Sequence, residues 1–284
     1  MSARLILTLS CTDRPGIVGA VGTFLAEHGC NILESAQFDA EDTGRFMMRV
    51  VFDLLAEGVA HDDIRAAFPA VAQRFGMSWR IHDAAHRPRV LILVSKQDHC
   101  LNDLLYRYKV GALKMDPVAI VSNHRDTYQL AASYDIPFHH LPVTAQTKAV
   151  QETRLWTLIE ESGAELVVLA RYMQILSDEL AAKLAGRAIN IHHSFLPSFK
   201  GAKPYHQAYA RGVKLIGATA HYVTADLDEG PIIEQEVARV DYNMRVDDLV
   251  ALGRDVECQA LARAVRYHLE HRVFLNGIKT VVFR

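Results

Sequence analysis

Residues 83–95 read D-A-A-H-R-P-R-V-L-I-L-V-S, and the pattern of the sequence changes within them. The short polar segment 84–88 ends in a proline, which favours a break between structural elements. The apolar run 90–95 that follows is typical of a parallel strand covered on both faces. We therefore predict one domain at 1–83, a linker at 84–88 and a second domain at 89–284.

The part before this boundary predicts a ferredoxin-like domain. Segments with strand-like alternation occur at 4–10, 31–40, 45–54 and 78–82, and segments with helical spacing occur at 15–28 and 62–75. Their order along the chain is β-α-β-β-α-β, which defines the ferredoxin-like arrangement.

The part after the boundary predicts an open, mostly parallel α/β sheet. Apolar runs at 90–95, 117–122, 166–170 and 188–192 alternate with helical segments at 101–108, 125–133 and 150–161. Two later strands are predicted at 219–223 and 232–240, and a long helix is predicted at 246–271. The fold class is therefore α/β.

The composition excludes several classes of function. The chain has 284 residues, is 50% hydrophobic, and carries 31 Lys and Arg residues against 33 Asp and Glu residues. Without an excess of positive charge we expect no nucleic-acid partner. No apolar run reaches the ~18 residues of a membrane helix, and no signal-peptide pattern is present. The four widely spaced cysteines are typical of buried apolar side chains in a cytoplasmic protein.

Glycines mark the first predicted helix, in the segment 12–32, T-D-R-P-G-I-V-G-A-V-G-T-F-L-A-E-H-G-C-N-I. Gly16, Gly19 and Gly22 recur at every third position. A dinucleotide-binding loop is one interpretation, but it needs a different glycine spacing and a βαβ crossover. Close packing of the helix on its sheet is the simpler one.

The same segment resembles the ACT domain, a regulatory module, and the resemblance covers about 4–82. It implies an amino-acid effector near the start of the first helix, where backbone N–H groups are available to a carboxylate. The candidate effector residues are Asp13, Gly16, Ile17 and Asn31. A domain that only dimerises is the alternative, and in either case we expect a homo-oligomer.

Polar residues cluster at the end of the strand predicted at 188–192, in the segment 189–197, I-N-I-H-H-S-F-L-P. Strand alternation places Asn190 and His192 on one side and His193 on the other. The amide can donate to a carbonyl oxygen, and the imidazole can relay a proton. Ligands of open α/β sheets bind beyond such strand ends. Structural burial of these polar groups is the alternative.

Three carboxylates follow in the segment 221–231, H-Y-V-T-A-D-L-D-E-G-P. We expect Asp226 and Glu229 to be exposed and Asp228 to point inward, where it would complete a set for oxyanion stabilisation and proton transfer. A zinc site that uses Asp228 with both histidines is the alternative. It is disfavoured because adjacent strand residues point to opposite faces and no H-E-x-x-H motif is present.

Four segments, 189–197, 201–208, 217–223 and 227–233, together resemble the formyltetrahydrofolate-dependent formyltransferase superfamily over about 89–257. The resemblance implies that Asn190, His192 and Asp228 are catalytic. It also implies that the folate lies in a cleft between residues 170–177 and 223–230. The candidate folate-binding residues are Met173, Leu176, Val223, Asp226 and Gly230.

Members of this superfamily differ in the acceptor of the formyl group. The loop 94–102, V-S-K-Q-D-H-C-L-N, lacks the glycine that close approach to the phosphate of glycinamide ribonucleotide requires. A tRNA acceptor would require an added RNA-binding domain and a basic surface. The ACT domain and the double histidine at 192–193 resemble the members in which water is the acceptor. The expected reaction converts 10-formyltetrahydrofolate and water to tetrahydrofolate and formate, without metal or cofactor.

The resemblance implies a role for each residue of the set. Asn190 donates to the formyl oxygen as it becomes an oxyanion, and Asp228 orients the water and helps to move its proton. His192 either stabilises the oxyanion or relays the proton to the departing N10. His193 either holds the attacking water or packs on the far face of the sheet. A transferase that uses glycinamide ribonucleotide and a non-catalytic folate sensor are the alternative functions.

Overall fold

A computed structural model describes residues 3–55, 60–196 and 204–284. Contacts divide the chain into two compact units. The first unit comprises Met1–His86, Glu270–Asn276 and Val281–Arg284, and the second comprises Arg87–Leu269 and Gly277–Thr280. Residues 270–276 and 281–284 therefore join the first unit, although the sequence analysis assigned them to the second domain. Pro197 and residues 201–203 of the resembling segments lie outside the described residues.

The first unit contains a four-stranded antiparallel sheet in the order β2-β3-β1-β4. Its strands are β1 (Ala3–Thr12), β2 (Cys30–Ala40), β3 (Arg45–Leu54) and β4 (Ser78–Asp83). The helices are α1 (Ile17–Glu27), α2 (His61–Ala67) and α3 (Pro69–Phe75). The predicted ferredoxin-like order is confirmed.

One predicted helix is wrong in detail, because the segment 62–75 forms two helices. The break falls at Phe68, immediately before Pro69, which is the first residue of α3. Proline has no N–H to donate to the preceding turn and its ring clashes there, whereas it fits the first helical position well.

The core of the first unit lies between the helices and one face of the sheet. Strand β3 supplies Met48, Val50 and Phe52, all buried, and α1 supplies Val21 and Leu25. These side chains alternate along β3 and recur at four-residue spacing along α1, so each element directs one apolar face to the other.

The second unit contains a seven-stranded sheet in the order β11-β10-β9-β8-β5-β6-β7. Its strands are β5 (Arg89–Val94), β6 (Asp116–Ser122), β7 (Phe138–His140), β8 (Leu166–Leu169), β9 (Ala188–His192), β10 (Leu215–Tyr222) and β11 (Ile232–Arg239). The five strands from β9 to β7 are parallel, and β10 pairs antiparallel with β9 and β11. The predicted mostly parallel sheet is confirmed.

Six helices accompany this sheet in the described part of the unit: α4 (His99–Lys109), α5 (Tyr128–Ala132), α6 (Lys148–Glu161), α7 (Asp178–Lys183), α8 (Pro204–Ala210) and α9 (Val246–Leu269). The strands β12 (Val273–Asn276) and β13 (Lys279–Val282) form a separate two-stranded sheet. None of the helices within the described ranges combines the length and the apolar character that a membrane span requires.

Candidate active site

A cavity of about 340 Å³ lies at the carboxyl end of β9, beside the loop that follows β10. The segments 171–176, 190–193 and 223–228 line it, together with Leu169 and His221. Ligands of open α/β sheets bind at this edge of the sheet. The structure brings the three predicted catalytic residues, Asn190, His192 and Asp228, together in the wall of this one cavity.

His192 and Asp228 are in direct contact. Nδ1 of His192 lies 3.1 Å from Oδ2 of Asp228, and the two side chains are 7% and 16% exposed. A carboxylate only accepts hydrogen bonds, so Nδ1 carries the hydrogen. Nε2 of the same ring is buried and has no hydrogen-bond partner among the described residues. Nε2 is therefore the atom at which His192 can take up a proton.

Asp228 is held as a carboxylate. Burial raises the pKa of this group, but the hydrogen bond that Nδ1 of His192 donates to it outweighs burial and holds the pKa well below its ordinary value. Its φ of 56° lies in the left-handed region, which Asp adopts more readily than most residues. The loop thus turns Asp228 inward, as predicted, whereas Asp226 and Glu229 are exposed.

The amide of Asn190 is oriented by His221, a residue that the sequence analysis did not select. Nδ1 of His221 lies 2.9 Å from the carbonyl oxygen of Tyr222, so in the neutral ring Nδ1 carries the hydrogen and Nε2 accepts. Nε2 lies 3.3 Å from Nδ2 of Asn190, which therefore donates to it. The second N–H of that amide remains available for a substrate oxygen.

The sequence could have pointed to His221, but only if the order of the strands in the sheet were known. His221 of β10 and Asn190 of β9 are partners in the antiparallel register, so their side chains stand next to each other. Sequence periodicity alone predicts the two strands without showing that they are neighbours.

His193 lines the cavity together with His192, and the two ring centroids are 5.1 Å apart. The prediction that strand alternation turns His193 to the opposite side is wrong, because β9 ends at His192 and alternation ends with it. Burial, together with the nearby Arg171 and His192, lowers the pKa of His193 to about 4. His193 is therefore neutral at physiological pH.

Four of the five candidate folate-binding residues line the cavity: Met173, Leu176, Val223 and Asp226. The side chains of Met173 and Leu227 are 56% exposed each, so the mouth of the cavity presents apolar surface. Gly230 is buried outside this lining, and a Cβ there would meet the carbonyl oxygen of Tyr222 at 1.7 Å. Its role is to let the loop approach β10 closely.

The candidate effector residues lie around the start of α1 and on β2. Gly16 precedes α1 with a φ of 96°, which glycine adopts without strain, and Asp13 and Asn31 are exposed. Ile17 is 2% exposed and packs in the core of the first unit. Of the four candidates, therefore, Asp13 and Asn31 offer accessible side chains, Gly16 offers exposed backbone, and Ile17 is not accessible to a ligand.

One further group has donor atoms that suit a metal ion. Ligand atoms of His99, Cys100 and Glu257 lie within 4.8 Å of one another. However, Nε of Arg171 lies 3.3 Å from Oε2 of Glu257, and the hydroxyl of Tyr205 donates to Oε1 at 2.7 Å. A fixed positive charge beside the carboxylate opposes the binding of a cation.

Two family profiles match the chain, with formyl transferase matching residues 88–265 and the ACT domain matching residues 5–61. A curated relative from a Corynebacterium species, described as formyltetrahydrofolate deformylase, is 53% identical over 281 residues, which cover 99% of this chain and 98% of the relative.

Solved structures agree with these matches. A formyltetrahydrofolate deformylase from Burkholderia mallei has a TM-score of 0.94 and 60% identity, and the similarity covers 99% of this chain and 100% of that one. A glycinamide ribonucleotide transformylase from Symbiobacterium toebii has a TM-score of 0.66 and 27% identity, and it covers 72% of this chain and 97% of its own.

Proposed function

Because the chain belongs to the formyltetrahydrofolate deformylase family, we propose that Asn190, His192 and Asp228 hydrolyse the formyl group of 10-formyltetrahydrofolate with water as the acceptor. The chain is an enzyme of this family's type, with an ACT domain before a formyltransferase-like fold. The observation that carries the proposed catalytic set is the 3.1 Å contact between His192 and Asp228, in one cavity with the oriented amide of Asn190.

The proposed reaction begins at the formyl carbon. Water attacks this carbon, its proton passes to Nε2 of His192, and the formyl oxygen becomes an oxyanion. The remaining N–H of Asn190 donates to that oxygen, an interaction that stabilises comparable oxyanions by about 3–4 kcal/mol. Asp228 stays ionised throughout and stabilises the imidazolium at Nδ1, in addition to orienting the water.

The second half of the reaction releases the products. The imidazolium returns its proton to N10, the bond between N10 and the formyl carbon breaks, and formate and tetrahydrofolate leave. Water has then supplied one oxygen to the product and one proton to N10, and its second proton passes from formic acid to the solvent, which leaves formate. No step needs an oxidant, a reductant or a metal, and we propose that the enzyme works without a cofactor.

Formate release from 10-formyltetrahydrofolate by the purified protein tests this proposal. We expect release that is independent of glycinamide ribonucleotide and that persists in the presence of a metal chelator. If the formyl group leaves the folate only when the nucleotide is present, the protein is a transferase and the proposed hydrolysis is wrong. Folate binding without turnover would instead support a sensor, and loss of formate release with the chelator would overturn the metal-free mechanism.

We also propose that an amino acid regulates the enzyme through the ACT domain. The available backbone groups at the start of α1 and the exposed Asp13 and Asn31 support this site. Each free amino acid should be titrated into the formate assay with the full-length protein. An effector of this site changes kcat or KM in the wild type and loses its effect in the double variant Asp13→Ala and Asn31→Ala. An unchanged response in that variant would exclude the site.

The first unit also offers a surface for self-association, and we propose a homo-oligomer. Strand β2 is an edge strand of 11 residues, and Ile32, Leu33 and Phe38 on it are 40–46% exposed. A long edge strand that exposes apolar side chains favours pairing with a strand of another chain. Light scattering of the wild type and of Phe38→Lys measures this directly, and an identical mass for both proteins would exclude β2 as the interface.

A further inference from the structure

A buried arginine forms one wall of the catalytic cavity. Arg171 lines the cavity and is 7% exposed. Its Nε and Nη2 both donate to Oε1 of Gln97, at 3.0 and 2.7 Å, and Nε lies 3.3 Å from Oε2 of Glu257. The guanidinium is therefore fixed in place and cannot swing out to follow a ligand.

The backbone at Arg171 has an unusual conformation. Its φ of 65° lies in the left-handed region, which is strained for a residue with a long side chain. The amide of Ser95 donates to the carbonyl oxygen of Arg171 at 3.2 Å and helps to hold this conformation. Strained positions of this kind persist where the surroundings fix them and are common at functional sites.

Glu257 balances the charge of Arg171 from the side away from the cavity. It is 1% exposed, and its oxygens contact Nε2 of His99 and the hydroxyl of Tyr205, both at 2.7 Å. Burial raises the pKa of Glu257, but the contacts with His99, Arg171 and Tyr205 outweigh burial and lower it. The pair is thus a buried ion pair in which both oxygens of Glu257 have partners.

Among the described residues, the space behind this wall is nearly closed. Tyr205 packs against Gly253 of α9, where a Cβ would meet the ring at 2.2 Å. A separate cavity beyond His193 measures only about 30 Å³, which is room for about two water molecules. His193 stands between this small cavity and the large one, since it lines both.

The direction from which an acceptor approaches follows by elimination. The segments 172–176 and 223–227 supply the apolar walls that suit a folate ring, and Asn190, His192 and Asp228 form the catalytic wall. Among the described lining residues that remain, Leu169 and Ile191 are apolar and His221 holds Asn190, so Arg171 and His193 are the polar groups left for the acceptor side.

We propose that Arg171, held in place by Glu257, determines the acceptor, because its guanidinium occupies the acceptor side of the cavity and presents the positive end of the ion pair there, so that water enters and cationic amines do not. This inference rests on the proposed function. Primary amines are largely protonated at neutral pH and are repelled by the guanidinium, whereas water is neutral and small. The neutral ring of His193 can accept a hydrogen bond from that water.

The test measures how the formyl group partitions between water and an added amine. In amine transfer the amine nitrogen bonds to the formyl carbon, the bond to N10 breaks, and the proton lost by the amine goes to N10. Full-length wild type, Arg171→Gly and Arg171→Lys are incubated with 10-formyltetrahydrofolate and methylamine or hydroxylamine. Formate and the N-formyl product are quantified by mass spectrometry.

With methylamine, we expect only formate from the wild type and from the matched control Arg171→Lys, which keeps the positive charge. Arg171→Gly suits the left-handed backbone and opens the wall, so its ratio of N-formyl product to formate should rise at least tenfold. An unchanged ratio in a folded Arg171→Gly protein, with formate still released, would overturn the inference while leaving the proposed hydrolysis intact. Absence of formate from the wild type would instead overturn the proposed function.

A second measurement needs no variant and covers the case in which Arg171→Gly does not fold. For the wild type, the rate at which each amine is converted to its N-formyl product is divided by the rate of the same reaction without enzyme. Uncharged hydroxylamine should then be transferred at least tenfold better than cationic methylamine, because only the cation is repelled by Arg171. Equal normalised transfer of both amines would contradict a charge-based selection of the acceptor.

Discussion

The substitution Asp228→Asn removes the charge of the carboxylate for which we propose a catalytic role, and it leaves the shape of the side chain almost unchanged. Asn tolerates the left-handed conformation with a φ of 56° that Asp228 adopts, so the loop should keep its backbone. The amide oxygen can still accept from Nδ1 of His192. The variant therefore isolates the contribution of the negative charge to turnover.

The magnitude follows from the distance between the two groups. Two unit charges 3.1 Å apart interact by about 5 kcal/mol at an effective dielectric constant of about 20. This is the upper limit of what the carboxylate contributes to an imidazolium that forms in the transition state, and it corresponds to roughly 10³–10⁴ in rate. Because the hydrogen bond persists in the variant, we expect kcat to fall by at least about 10².

The assay is formate release at saturating folate, with kcat and KM determined separately. The expected loss is in kcat, since Asp228 acts on the transition state and not on the folate ring. Glu229→Gln is the matched control, because it makes the same change of charge one residue away on an exposed side chain. We expect its kcat to stay within about twofold of the wild type, as for most surface substitutions.

Near-normal turnover by a folded Asp228→Asn protein would refute the reasoning and remove Asp228 from the mechanism. An equal loss in both variants would assign the effect to the net charge of the loop. A loss confined to KM would place Asp228 in folate binding.

Three further predictions concern other parts of the second unit. Asn190→Ala should lower kcat by about 10²–10³, as for other single oxyanion donors, and an unchanged kcat would exclude this donor. Gly230→Ala places a Cβ 1.7 Å from the carbonyl oxygen of Tyr222, so we expect a loss of about 1–3 kcal/mol in the free energy of unfolding, measured with denaturant. Burial lowers the pKa values of His193 and His268 to about 4. Unfolded histidine binds a proton near pH 6.5 and these two do not, so stability should fall with acidification from about pH 6.5 to pH 4, by up to about 1.4 kcal/mol per pH unit for each group. Stability that stays flat over this window would contradict the burial of both rings.

The two main sheets, including the strand that carries Asn190 and His192, could be predicted from local patterns. The strands β5, β6, β8 and β9 are buried on both faces, so each of them is a nearly continuous apolar run. Such a run can be recognised in the sequence without knowing which strands lie beside it. The three residues of β7 and the six of α7 are too short to produce a periodic signal, and the sequence analysis did not predict them.

The site was predictable where a side chain's direction is set locally. Asp228 points inward because of its own loop, and Asn190 and His192 share one side of one strand. His221 and Arg171 were missed because their contacts are made across strands or to α9, and such contacts depend on tertiary packing. The side to which His193 points was predicted wrongly, because the sequence pattern does not show that β9 and its alternation end at His192.

The make-up of the first unit has a consequence for synthesis on the ribosome. The sheet of this unit forms from residues 3–83, yet Glu270–Asn276 and Val281–Arg284 also belong to the unit. The buried Arg49 on β3 donates to the carbonyl oxygen of Glu270 at 3.1 Å. At a translation rate of about 5–20 residues per second, the nascent sheet waits at least about ten seconds for these partners. During that interval the side of β3 that carries Arg49 lacks these contacts and is left to the solvent, and the second unit can fold before the unit that precedes it is complete.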